Sequence, residues 1–248
     1  MSTTVPGTSG DRRVRWGLGD AFVGVVLAVV LVWAVGWAAL RGWSASPELR
    51  TALGYLAAWV PLLGAVLAAS YLRGRRSLVR DFGLRFEWID LFFGLVIGGM
   101  MRAATTLVEI LLYGRVASGG ATFGPVIYDL WWFVLVILAP VLAAPLIEEL
   151  FFRGLMQRAL VRTSAAALPA RARAARVPVV VAIGVTSLVF AGVHMMQTSG
   201  GLEAAVVGIS TLVVGIGTGT LAATTGRLGA AIIAHIAYNG LIAAWSLI

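Results

Sequence analysis

Apolar residues in this chain fall into long unbroken runs, not the alternating or every-third-residue patterns of a soluble fold. Each run is about 20 residues long, the length a helix needs to cross the hydrocarbon core of a bilayer. The runs predict spans at 21–40, 53–72, 90–113, from 128 to beyond 153, 177–196, 202–223 and 228–248. The expected fold class is therefore all-α, a polytopic transmembrane helix bundle of about seven spans. Trp33, Trp37 and Trp43 gather toward the exit of the first span, as an interfacial belt does. Gly208, Gly215 and Gly219 give the sixth span a small-residue face for close helix approach. No internal repeat and no soluble second domain is visible. Residues 1–18 read as a flexible cytoplasmic tail, 19–127 as N-terminal transmembrane helices, and 128–248 as the helical core that carries the chemistry.

Composition agrees with this pattern: 60% of residues are hydrophobic, 12% are charged, and the mean hydropathy is +0.93. Soluble domains carry about twice that charge. There is no cysteine, which excludes disulfides, thiolate metal sites and thiol nucleophiles. All nineteen basic residues are arginine. Fifteen fall in segments that share one side of the membrane if the N-terminus is inside, and three fall on the other side. The positive-inside rule then sets the N-terminus in the cytoplasm and the C-terminus outside. The net charge of +8 fits anionic headgroups and this loop asymmetry, so no nucleic-acid partner is implied. The alanine, glycine, valine and arginine load suits a GC-rich bacterial genome, hence a bacterial inner membrane. The connection that holds Phe82, Leu84, Phe86 and Trp88 would suit an interfacial segment.

Charges inside the spans change the picture most. An ionised side chain at the bilayer centre costs about 2.5–3.5 kcal/mol even on lenient insertion scales, so function is the first hypothesis there. Arg102 and Glu109, seven residues apart, share one face of span 3; they form either a structural polar face toward the bundle or a substrate or gating contact. In span 4, Glu148 and Glu149 follow a run of uncharged residues, and Arg153 follows four residues after the second. Glu149 and Arg153 are i,i+4 neighbours that can pair, whereas Glu148 points about 100° away and needs another partner. The only two histidines also lie in spans: His194 in span 5 and His235 in span 7, the latter one turn before Asn239. A glutamate there can take a proton from water, a histidine can hold that water, and a second histidine with an asparagine can donate to an oxyanion. That is the set amide hydrolysis needs.

Glu148-Glu149-x-x-x-Arg153-Gly154, Phe190-x-x-x-His194 and His235-x-x-x-Asn239 resemble, in order, the three signature motifs of the CPBP family of intramembrane proteases. That family includes the CAAX prenyl proteases and bacteriocin-processing or immunity proteins. The resemblance covers roughly residues 128–245. It implies a membrane endopeptidase with Glu148, His194, His235 and Asn239 as catalytic residues, supported by Glu149, Arg153 and Phe190, acting on a membrane-associated peptide or protein. It implies no cofactor in the preferred mechanism; the alternative is zinc on Glu148, His194 and His235, although no His-Glu-x-x-His pair is present. Two other readings stay open: a non-catalytic binding or immunity protein of the same fold, and a small transporter.

Helical rise sets one difficulty. Glu148 lies about 30 Å from Tyr128, toward the cytoplasmic end of its span, while His194 lies about 24 Å from Pro178, toward the external end of its own. The two can meet if the span kinks at Pro140 and Pro145 and its helix continues past Arg153, and if span 5 begins in the cytosol.

Overall fold

The computed structural model describes residues 14–116 and 129–245, and within them the chain is all helix. The first helices are α1 (Leu18–Leu40), α2 (Pro47–Arg73), α3 (Leu78–Phe82) and α4 (Ile89–Tyr113). Next comes α5 (Leu130–Ala167), 38 residues long, which holds two π-helical stretches, Phe133–Ala143 and Leu150–Gln157. Then follow α6 (Ala170–Ala174), α7 (Val177–Met195), α8 (Gly201–Thr225) and α9 (Gly229–Trp245). Six helices (α1, α2, α4, α5, α7 and α8) are long and apolar enough to cross a membrane, and α9 is a shorter apolar helix of 17 residues. This is the polytopic bundle the runs predict, and the protein is an integral membrane protein. The expected onset of span 4 at Tyr128, the tail up to residue 13 and the end at Ile248 lie outside the described residues.

The outward faces stay apolar. Phe22, Leu27, Trp33 and Leu40 on α1, and Leu91, Phe92, Leu107 and Leu111 on α4, are exposed, as lipid-facing side chains are. Because lipid is as apolar as leucine, the helices associate by close packing and polar contacts. Gly98 on α4 lets the backbone of α9 approach so closely that an added Cβ would stand 2.6 Å from the Ala234 carbonyl oxygen. Gly215 on α8 meets the backbone of α7 in the same way, with Ser187 Cα at 2.9 Å from such a Cβ. The small-residue face expected on the sixth span is therefore a packing seam.

The arginine-rich loops gather at one end of the bundle. Arg73 pairs with Asp20 at 2.8 Å, Arg227 holds Asp90 through Nε and Nη2, and Arg158 Nη2 donates to the Gly226 carbonyl. Asp81 accepts from Ser70 Oγ at 2.7 Å and Trp16 Nε1 at 3.3 Å, and Arg162 lies 3.6 Å over the Trp16 ring. Phe82 departs from the interfacial expectation: it is fully buried against Trp16, while Phe86 and Trp88 are exposed. The turn after α3 folds the Phe82 ring into the core, whereas Phe86 and Trp88 precede a helix whose outer face meets lipid. Arg102 and Glu109 pair within α4 at 2.7 and 3.2 Å, both buried, which is the structural arrangement of the two foreseen.

Candidate active site

The core of the site is carried by α5, whose turns are wider than those of an α-helix. In π-helical register a carbonyl accepts from the N–H five residues on, and proline has no N–H to give. Pro140 therefore frees the Leu135 carbonyl, which accepts from Tyr55 Oη at 2.9 Å. Pro145 in turn frees the Pro140 carbonyl, which accepts from Asn239 Nδ2 at 2.8 Å. Both freed backbone acceptors thus find a partner on another helix, as buried carbonyls must. Pro140 lies in the π-helical stretch Phe133–Ala143, and Pro145 follows in the α-helical turns Ala144–Glu149. The helix continues unbroken past Arg153, as the depth argument required.

One turn further, Glu149 is wholly buried and Arg153 nearly so, with Arg153 Nη1 3.0 Å from Glu149 Oε1. Arg153 also donates to the Gly215 carbonyl at 3.3 Å and lies 4.7 Å over the Phe190 ring. The same Glu149 Oε1 stands 2.9 Å from His235 Nδ1, a contact between helices that sequence spacing does not encode. His235 is 4% exposed, and its Nε2 is 3.9 Å from Glu148 Oε2. Glu148 Oε2 is buried and has no hydrogen-bond partner among the described residues.

His194 reaches this level because its side chain folds back toward the N-terminus of α7. Its Nδ1 stands 2.9 Å from the Phe190 carbonyl, and its ring packs on Phe190 at 4.4 Å. A carbonyl only accepts, so Nδ1 carries the proton and Nε2 keeps its lone pair. The same logic assigns a proton to His235 Nδ1, which faces the carboxylate of the Glu149–Arg153 pair. Phe190 touches both imidazoles and Phe152 edge-on, so it packs the site and offers no polar group.

Glu148, His194, His235, Asn239 and Phe190 all line one cavity of about 760 Å³. Glu149 and Arg153 stand behind it. Tyr55 and Tyr238 also line the cavity and are residues the motif reading did not single out. Tyr238 precedes Asn239 directly, which was the one available signal. Among the described residues no three His, Asp or Glu side chains stand close enough to share a metal ion, so Glu148, His194 and His235 do not fit a zinc site as they stand.

A bundle of apolar helices enclosing a chamber with a carboxylate, two imidazoles and an amide on its wall is the architecture of an intramembrane protein with polar chemistry inside. Residues 130–241 match the family profile described as type II CAAX prenyl endopeptidase Rce1-like. This segment, which holds all seven candidate residues, matches that family of proteases, the one its three motifs resemble. No curated protein and no solved structure matches the chain significantly.

Proposed function

We propose that the chain is a glutamate-dependent intramembrane endopeptidase that cleaves a membrane-associated peptide or protein in a bacterial inner membrane. The observation that carries this reading is the Glu148 carboxylate. One of its oxygens is buried without a protein partner, on the wall of a cavity shared with two imidazoles whose Nδ1 atoms are both engaged. That leaves Glu148 and both Nε2 atoms to act on a water molecule and a peptide carbonyl.

Glu148 takes one proton from water while His194 Nε2 accepts a hydrogen bond from the water's other O–H, which stays on the oxygen, and so fixes its direction. The oxygen bonds to the carbonyl carbon, and the carbonyl π pair moves onto its oxygen. That oxyanion receives the second N–H of Asn239, whose first is spent on Pro140, and the Nε2–H of His235. With Nδ1 donating to Glu149, His235 donates from Nε2 as an imidazolium. Two carboxylates, Arg153 and this imidazolium then sum to zero charge in the cluster. Collapse of the intermediate breaks the C–N bond, and Glu148 returns its proton to the leaving amine. Glu149, Arg153 and Phe190 orient these groups without touching the substrate. The donor set forms no metal group, so no step runs through a metal.

The test uses internally quenched peptides with a prenylated C-terminal cysteine, and their unlipidated counterparts, with purified protein in detergent. Wild type should cleave, and Glu148→Gln should lose about 10²–10⁴-fold in rate, the span of general-base contributions. Equal cleavage by Glu148→Gln would remove this glutamate from the chemistry. In cells, full function of Glu148→Gln and His194→Ala would instead indicate a binding or immunity protein of the same fold. Proteoliposome ion flux abolished by Glu148→Gln would indicate a carrier.

A further inference from the structure

The cavity does not end at the candidate catalytic residues; it runs to one end of the bundle. Its lining includes Glu48 in the first turn of α2, Asp129 capping α5, Thr198 just after α7 and Glu203 in the first turn of α8. These four positions lie at helix ends opposite the end tied together by Arg73, Arg158, Arg162 and Arg227. By the positive-inside rule the arginine-rich end is cytoplasmic, so the cavity opens on the other side.

Apart from the His235 imidazolium at the floor, the charge of the lining has one sign. Glu48, Asp129, Glu148 and Glu203 line the cavity, and among the described residues none of the chain's arginines does, although the protein carries +8 overall. Each rim acid also serves its own helix. Asp129 accepts from Trp132 N at 2.7 Å, Glu203 accepts from Ser199, and Glu48 sits beside Ser46 with Arg50 nearby on the same helix. The three helix N-termini offset about half a charge each and Arg50 offsets one more, so the three rim acids leave the mouth with a small negative excess. The second feature that points to a ligand is at the floor, where the buried Glu148 oxygen faces the cavity without a partner. A narrow cleft of one charge sign with low-dielectric walls concentrates ions of the opposite sign.

We infer that the site is reached from the non-cytoplasmic face through an acidic mouth, and that it takes a cationic peptide segment presented on that side. The substrate-class part rests on the endopeptidase reading; the direction of access and the sign of selection do not. Because the chain has no cysteine, a single reporter thiol settles both. Thr211, on α8, lines the cavity between mouth and floor, and Thr211→Cys nearly preserves its size. Intact cells and inverted membrane vesicles are treated with membrane-impermeant methanethiosulfonates, one cationic and one anionic, and their rates are normalised to those with a small free thiol.

Modification should occur in intact cells and not in inverted vesicles. The normalised cation-to-anion ratio should be about tenfold, the lower range of such field effects. Glu48→Gln, Asp129→Asn and Glu203→Gln together should bring that ratio close to one. Modification from the inner side only overturns the direction of access. An unchanged ratio in the triple variant, or a ratio near one in wild type, overturns the selection. A cleavage assay on the same protein separates the two readings: labelling as expected with no hydrolysis of any lysine- or arginine-bearing peptide removes the endopeptidase reading alone.

Discussion

Adjacent glutamates should fail in opposite ways when each is neutralised. Glu149→Gln leaves Arg153, 1% exposed, without its counter-charge, because the Gly215 carbonyl at 3.3 Å is only a neutral acceptor. The glutamine oxygen can still accept from His235 Nδ1, so the loss falls on the ion pair. Removing one partner of a buried pair costs about 3–5 kcal/mol. By the scaling of domains of 150–250 residues, that lowers Tm by roughly 6–20 °C. Glu148→Gln removes no hydrogen bond and only the longer ionic contact with His235 at 3.9 Å, and it relieves a buried carboxylate oxygen that has no hydrogen-bond partner among the described residues, so Tm should change little while cleavage collapses. Tm is read in detergent from the temperature at which the monodisperse chromatographic peak is half lost. The double variant Glu149→Gln with Arg153→Met should recover most of the lost stability, since replacing a whole buried pair by apolar groups is near neutral. An unchanged Tm for Glu149→Gln, or a double variant no better than the single, would refute the assignment of Glu149–Arg153 as the brace.

Asn239→Ala should lower kcat by about 10²–10³-fold, as loss of one oxyanion donor does, with KM little changed in steady-state peptide cleavage. Pro145→Ala restores an N–H one π turn after Pro140; it should compete with Asn239 for that carbonyl and lower kcat without lowering Tm. Gly98→Ala should destabilise by about 1–3 kcal/mol, because the new Cβ meets the Ala234 backbone, whereas Gly99→Ala, with open space around it, should be neutral or stabilising in the same thermal assay. A chelator such as 1,10-phenanthroline should leave cleavage unchanged, and elemental analysis of active protein should find zinc far below one atom per chain, since no three ligating side chains converge.

Spans were legible because hydrocarbon thickness fixes their length, and pairs within one helix were legible because helical periodicity fixes their faces. Glu149–Arg153 at i,i+4 and Arg102–Glu109 at i,i+7 are both of that kind. Contacts between helices carry no such period. The His235 contact with Glu149 joins residues 86 apart, and only the fold supplies it. Depth was misleading for a related reason: residue counts locate Cα atoms, not side-chain ends. His194 sits in the last turn of α7, yet its ring is bonded one turn back, while the glutamates project toward the opposite end of α5, because every helical side chain leans toward its own N-terminus. Antiparallel helices therefore bring polar groups together from Cα positions that rise arithmetic sets apart.

The two prolines carry information that a reading for kinks overlooks. Pro140 and Pro145 are five residues apart, one π-register hydrogen bond. In an α-helix the first would leave the Val136 carbonyl without its donor and the second the Val141 carbonyl. In the wider register the freed acceptors are Leu135 and Pro140 instead, and these are the two that Tyr55 and Asn239 occupy. The widening thus decides which carbonyl faces the cavity, and with it where Asn239 holds its second N–H. A mere bend would satisfy neither group. In a bilayer interior, where an unpaired carbonyl costs several kcal/mol, the two side-chain donors stabilise the π register as much as the prolines impose it. The backbone irregularity and the position of the candidate oxyanion donor are one structural fact, written in the sequence as a proline spacing and an asparagine almost a hundred residues away.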